Sequence, residues 1–294
     1  MASHLVQGRE VTLPVEIRDA TVCAVVYTVR ADAARAVLAY SPDMDVTEFL
    51  PGKALCVLQF IRYDDGDLGS YNEFGVGFMV RPPDTRGRAA GNHPDAFGPS
   101  SSDGPGRFGP TSGNGPAAFV PSSGHGSGAL VGRPRTATGT GVLSGVRGLR
   151  GAGMFVHWLP VDQRFTLEAG RTIWGFPKEM AEIDLRLSSP YKRCILRKDG
   201  RLVLDLLIRP GMPIPAPSAD LTAYTHLDGT TRRIRCTARP QTIHARPGGA
   251  LIRLGNHPIA KELSELGLPK HALLTTTITH TTATIPEAEP LPRI

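Results

Sequence analysis

Cysteine is scarce in this sequence: four in 294 residues, at positions 23, 56, 194 and 236, with no Cys-x-x-Cys spacing. That scatter argues against a thiolate metal site and offers no disulfide framework, and a chain of this length can bury a core without either. The four are read as reduced thiols. Aromatic residues are also few, at 6% with two tryptophans. No basic stretch interleaves them in the manner that stacks bases, so nucleic acid is not an expected partner despite a net charge of +6. Long apolar runs are missing as well. None reaches membrane-spanning length, and the first ten residues contain no signal-peptide core. The expectation is a cytoplasmic protein without a membrane partner. No glycine-rich loop sits between a strand and a helix to cradle a phosphate, and no cofactor or metal is expected.

Glycine and proline, by contrast, are abundant: 33 and 26 residues, about a fifth of the chain against a typical ~12%. The excess is concentrated at about 83–151, where aliphatic residues thin out and no periodicity persists. Such a composition does not bury enough apolar surface to offset chain entropy, and it predicts a disordered or weakly ordered insertion. On either side the patterns are those of strands. Residues 22–29 and 54–63 are β-branched or apolar runs of buried-strand type. An alanine-rich helix over 32–38 follows the first, with Asp32 as its cap. A turn at 64–67 and a strand at 70–80 complete an antiparallel hairpin with the second. Further strands are predicted at 153–162, 182–187, 194–197 and 202–208, the last two joined by a strong Asp199-Gly200 turn. Residues 210–217 suit an edge crossing. Short strands at 224–226, 232–237, 242–245 and 251–254 precede a helix opened by Pro258 and closed by Gly267, and residues 272–285 form the last strand. Many short strands with few short helices predict an α+β domain that is mainly antiparallel β and barrel-like, over 11–286.

One stretch stands out chemically: Thr172-Ile173-Trp174-Gly175-Phe176-Pro177-Lys178-Glu179-Met180-Ala181. Pro177 restricts its own φ and biases Phe176 to extended geometry. In an extended segment Trp174, Phe176 and Lys178 project to one face. An amine on an aromatic face loses hydration, which disfavours its charged form and makes it a nucleophile. The same residues also fit a lysine whose stem packs on Trp174 while its ammonium reaches water.

Glu168-Ala169-Gly170-Arg171 followed by Trp174-Gly175-Phe176-Pro177-Lys178 resembles the signature of the acetoacetate decarboxylase family, in which a Gly-Arg pair precedes an aromatic-Pro-Lys-Lys motif. The resemblance implies that Lys178 is the Schiff-base lysine, a desolvated amine nucleophile of the kind that family is known for. Tyr71-Asn72-Glu73-Phe74-Gly75 is similar to the family strand whose glutamate reaches the active site, which implies that role for Glu73. The resemblance covers roughly 11–82 and 152–286. It implies a barrel with the lysine inside, a pocket formed by Trp174, Phe176 and Met180, a small keto-acid substrate and assembly into homo-oligomers. The implied activity is decarboxylation of acetoacetate or a related β-keto acid. Aldol condensation with dehydration, which some relatives run, is the alternative, and a ligand-binding protein without turnover is the third reading.

The sequence departs from the family at three places: Glu179 replaces the second lysine, Thr28 stands where an arginine is expected (Arg30 lies two residues on), and Leu58 stands where a second acidic residue is expected. His157, alone on an apolar strand, is read as a satisfied core histidine.

Overall fold

The computed structural model describes residues 2–83, 149 and 151–292. The insertion expected at 83–151 lies outside the described residues except at 83, 149 and 151.

Eighteen strands and three helices follow one another among the described residues. β1 (Ser3–Val6) and β2 (Arg9–Thr12) form a hairpin before the long β3 (Val15–Arg30). A helix, Ala31–Val37, leads to β4 (Asp45–Val46), β5 (Glu48–Leu50), β6 (Lys53–Gly66) and β7 (Tyr71–Arg81). After β8 (Gly153–Val161), a helix (Arg164–Ala169) runs into a π-helical turn, Gly170–Trp174, and then into β9 (Lys178–Met180). Next come β10 (Glu182–Arg186), β11 (Lys192–Lys198), β12 (Arg201–Ile208), β13 (Met212–Ile214), β14 (Ala219–Leu227), β15 (Thr230–Pro247) and β16 (Ala250–Leu254). A helix at Pro258–Glu265, β17 (Leu274–Ile285) and β18 (Glu289–Pro290) close the chain.

The pairings make a barrel. β7, β6, β3, β17, β15, β14 and β8 are hydrogen-bonded in that order, and β8 pairs again with β7, which closes a ring of seven strands. All of these contacts are antiparallel except β14 on β8. A second, four-stranded sheet runs β10–β11–β12–β16. The outward residues of the barrel, among them Val25, Tyr27, Leu58, Phe60, Phe74 and Phe78, share one core with Leu196, Val203, Leu204 and Leu206 of that sheet. The largest apolar core therefore lies between barrel and sheet, on the outer side of the barrel wall.

Strand alternation sets which residues face inward, and bulges reset the phase. On β3 the pairing with β6 slips on both sides of Asp19, so Ile17 and Ala20 both face the lumen while Val22, Ala24 and Val26 continue the alternation. On β15 and β17 the register is unbroken, but the ladder skips the Gln241–His280 pair, His280 has a φ of +52°, and the inward phase changes there on both strands. The segments 232–237 and 242–245, predicted as separate strands, are one strand, because β15 stays paired with β17 in a single register on both sides of that point.

Other boundaries moved for equally local reasons. β6 continues through Asp64 and Asp65, because Arg18 on β3 holds Asp65 at 2.8 Å and Asp67 at 2.6 Å, and the turn follows at 67–70. Arg30, not Asp32, is the N-cap of the first helix, and Asp32 binds the Arg30 guanidinium from inside the first turn. The Asp199-Gly200 turn forms as expected, with φ of +51° and +69°.

β7 and β8 are direct neighbours, with Val80 opposite Gly153, so the chain leaves the barrel and re-enters it at adjacent points. A short hairpin loop spans such a gap. Replacing residues 86–148 with a short Gly/Ser linker is expected to give a Tm equal to or above that of the parent, since each halving of the length of a connection relieves roughly 0.6 kcal/mol of closure entropy. A Tm lower by more than about 4 °C, on the order of 1 kcal/mol or more for a domain of this size, would show that the replaced segment stabilises the barrel.

Candidate active site

Lys178 is the first residue of β9, which pairs in parallel with β8 and places Lys178 opposite Leu159. The approach to it is not extended, contrary to the sequence expectation. Residues 170–174 form a widened helical turn, which Gly175 ends in the left-handed region at φ +66°. The Phe176 amide then donates to the Gly170 carbonyl at 3.0 Å, and the Gly175 amide to Arg171 at 3.2 Å. Coiling turns Trp174 away from Lys178. Its indole N–H donates to the Pro286 carbonyl at 2.7 Å, its own carbonyl accepts from the buried Thr225 hydroxyl at 2.9 Å, and its ring packs with Val11, Val15 and Ile173.

The Lys178 stem lies directly on Gly170. A methyl group at that glycine would sit 2.5 Å from Cδ and 2.7 Å from Cε of the lysine. Arg171 donates to the Lys178 carbonyl at 3.2 Å and fixes the backbone from the other side. The Gly-Arg pair of the motif is thus a cradle for the lysine: one residue supplies space, the other an anchor.

The amine ends against Glu73, with Nζ 2.7 Å from Oε2. Both residues are buried, Lys178 at 3% exposure and Glu73 at 5%. Glu73 comes from β7, where it lies opposite Val161 of β8. Its second oxygen accepts from the Tyr63 hydroxyl at 3.2 Å. Tyr63 and Tyr71 face each other across β6 and β7, and their rings stack at 4.3 Å. Burial, with the Glu73 charge next in importance, pushes both phenols well above their usual range, so each stays a neutral O–H. The Tyr71 and Phe176 rings lie 5.2 and 5.9 Å from Nζ, within cation–π range.

A cavity of about 460 Å³ fills the barrel lumen beside this pair. Glu73, Tyr63, Gln59 and Phe176 line it, and so do alanine, valine and isoleucine side chains from around the ring. Lys178 is not in the wall itself; Glu73, which touches its amine, and Phe176, whose ring lies 5.9 Å from it, are. Of the three residues expected to form the pocket, only Phe176 does so. Trp174 is taken up by the neighbouring core as described, and Met180, two residues beyond Lys178, is 38% exposed at the surface.

The substituted positions also find their places. Glu179 points away from Lys178, accepting from the Trp158 indole at 3.1 Å and lying 3.4 Å from the Lys198 ammonium. Leu58 is on the outer face of β6, fully buried in the core, and the residue that β6 turns into the lumen is Gln59. Thr28 does not line the lumen either, and Arg30 is at the surface beside Asp32. His157 faces out of the barrel between the Tyr40 hydroxyl at 2.9 Å and Glu262 at 2.8 Å. Among the described residues, no group of three or more histidine, cysteine, aspartate or glutamate side chains is placed to hold a metal ion, and no helix is long and apolar enough to cross a membrane.

The family model of acetoacetate decarboxylase matches residues 3–291. The chain belongs to the acetoacetate decarboxylase family. Solved structures of similar fold include acetoacetate decarboxylase from Legionella pneumophila, 18% identical over 97% of this chain and 91% of that one, with a TM-score of 0.58. A second acetoacetate decarboxylase structure is 15% identical over 96% and 90%, at a TM-score of 0.56. The enduracididine biosynthesis enzyme MppR complexed with pyruvate is 13% identical over 96% and 91%, also at 0.56. No curated protein sequence matches the chain.

Sequence reasoning about this family member missed Tyr63, Gln59 and the packing role of Gly170. Tyr63 and Gln59 carried a usable signal, because both share the parity of Ile61 on a strand whose partner holds Glu73. Turning that parity into a face required the register, which the misplaced turn at 64–67 obscured.

The Gly170 cradle is open to a test of sign. Gly170 has ordinary helical geometry, with φ of −62°, so helix propensity alone makes Gly170→Ala stabilising by roughly 0.5–1 kcal/mol. The overlap with the lysine stem costs about 1–3 kcal/mol, as overpacking does. The expected outcome of a thermal melt is a lower Tm. A Tm at or above the parent value would show that the stem has room to spare.

Proposed function

We propose that this protein is a Schiff-base-forming lyase that decarboxylates acetoacetate or a related β-keto acid through an imine on Lys178. The observation that carries the reading is the Lys178–Glu73 contact, a buried amine within proton-transfer distance of a buried carboxylate at the wall of the lumen cavity.

The geometry suggests the sequence of steps. Glu73 takes a proton from the Lys178 ammonium across the 2.7 Å contact. As its carboxyl swings aside, the neutral amine adds to the ketone carbon. The carbinolamine loses water, with Glu73 returning the proton to the departing hydroxyl, and an iminium remains. The bond to the carboxylate then breaks, CO2 leaves, and its electron pair enters the enamine. Protonation at carbon and hydrolysis release the ketone and restore the lysine. Tyr63, held neutral, steadies Glu73 through its second oxygen. An apolar wall favours loss of the charged carboxylate as neutral CO2, since desolvation destabilises the anion most.

Reductive trapping tests the imine. With borohydride and acetoacetate the wild type is expected to gain one adduct on Lys178, read by intact mass and peptide mapping. Removing Lys178 alone leaves Glu73 buried without its partner, at a cost of about 3–5 kcal/mol. The control is therefore Lys178→Met/Glu73→Gln, which neutralises both groups together. Equal labelling of wild type and control would sink the reading. If pyruvate and an aldehyde give a condensation product while no CO2 is released from any β-keto acid, the main activity is aldol condensation with dehydration.

Glu73→Gln by itself separates the two roles of the glutamate. It keeps the shape but removes the proton acceptor, so turnover is expected to fall about 10²–10⁴-fold and the Tm to drop with loss of the buried pair. Turnover equal to the parent would show that Glu73 takes no part in proton transfer.

A further inference from the structure

Barrels of about eight strands have interiors that side chains just fill, or that hold one small ligand. This ring has seven strands, yet a cavity of about 460 Å³ remains. The cause is visible in the wall. Six of the inward positions are alanine: Ala20, Ala24, Ala219, Ala223, Ala238 and Ala283. The cavity falls within the range of about 300–1,000 Å³ that encloses drug-sized ligands. A keto acid with seven heavy atoms occupies only part of it.

The wall is also nearly without charge. Among the described residues that line it, Glu73 is the only one of lysine, arginine, aspartate or glutamate type. The Cys236 thiol, pushed up to about 12 by burial, stays protonated. A small acid held by its carboxylate would need a cation in the wall, and the described lining residues supply none. What the wall offers is apolar surface, on strands that lie three steps around the ring from β7 in either direction, namely β17 and β15.

We propose that the substrate carries an apolar tail, a 3-oxo acid of about eight to ten carbons, whose carbonyl lies at Lys178 and whose tail crosses the lumen toward Ala238 and Ala283. These two alanines are cross-strand partners on β15 and β17. The tail contributes the binding energy that a cation would otherwise supply, and it orients the carbonyl from a distance. The placement of the carbonyl rests on the imine reading above; the preference for an apolar tail rests on the cavity alone.

Two measurements keep these apart. The first is kcat/KM for CO2 release from straight-chain 3-oxo acids of four, six and eight carbons. Each buried methylene is worth about fourfold in binding, which sets the expected rise per carbon. In Ala238→Phe, whose ring would occupy the far side of the lumen, the ratio of the eight-carbon to the four-carbon acid is expected to fall at least tenfold. The second measurement is calorimetric binding of acetone and octan-2-one to Lys178→Met/Glu73→Gln, which cannot form an imine. Octan-2-one is expected to bind at least 100-fold more tightly. If acetoacetate is turned over with no gain in the longer acids, and octan-2-one binds no better than acetone, the tail is refuted while the imine stands. If no acid forms an imine but octan-2-one is preferred, the lumen holds an apolar ligand as proposed and the catalytic reading falls.

Discussion

The buried contact between Lys178 and Glu73 is the constraint to which the rest of the structure answers. Taking one ammonium and one carboxylate out of water costs several kcal/mol for each ion, and their attraction repays this only in good geometry with the remaining hydrogen bonds made. Here Tyr63 occupies the second carboxylate oxygen, aromatic faces surround the amine, and Gly170 and Arg171 leave the lysine stem one path. Removal of any one of these groups would leave a charge less well paired inside the protein. Residues 73 and 178 are far apart in the chain, and they meet because β8 is hydrogen-bonded to β7 on one side and to β9 on the other.

That arrangement requires an open lumen, and a small barrel with an open lumen has given up part of its own core. The fold compensates on the outside. The aromatic and aliphatic residues of β3, β6 and β7 that point away from the lumen pack against the four-stranded sheet. Close packing, which makes a core rigid and sensitive to single methylenes, is concentrated there. The lumen wall can then be lined with small residues without loss of the barrel, since its strands are held by their ladders and by the outer core. Gly75 and Gly77 belong to the same division. On the inner face of β7 they give room to Gln59 and to Met154, where side chains would collide at about 3 Å.

Two polar constellations sit on opposite sides of the barrel wall. The pair at Glu73 faces inward. Tyr40, His157 and Glu262 form a chain of hydrogen bonds on the outer side, tying the helix at Pro258–Glu265 to β8. His157 and Glu73 lie on paired strands, and only the direction of their side chains separates a structural tie from a candidate catalytic group. A bulge contributes to that division: the slip in the β7–β8 ladder at Val76 and Gly77 falls where β8 turns both His157 and Trp158 outward.

Most strands, the Asp199-Gly200 turn and the helix closed by Gly267 were legible in the sequence, because they depend on neighbours a few residues away: alternation, turn chemistry and a proline at the first helical position. The family was legible for a related reason, since a short motif concentrates the residues that cradle one lysine. Direction was not legible wherever it depended on a partner remote in sequence. Extended geometry through 174–178 was a sound reading of Pro177, yet the hydrogen bonds from Phe176 to Gly170 and from Trp174 to Pro286 coil the approach and take the indole out of the pocket. Leu58 and Gln59 are adjacent, and no local rule says which of them faces inward. Strand parity is relative until the register between strands is set, and register is decided by bulges and by pairs such as Tyr63 opposite Tyr71. The sequence by itself determined which side chains were available for the chemistry. Only the closing of β8 onto β7 decided that Lys178 and Glu73 would face each other, because that contact depends on where a ring of strands closes, and the residues that close it are not neighbours in the chain.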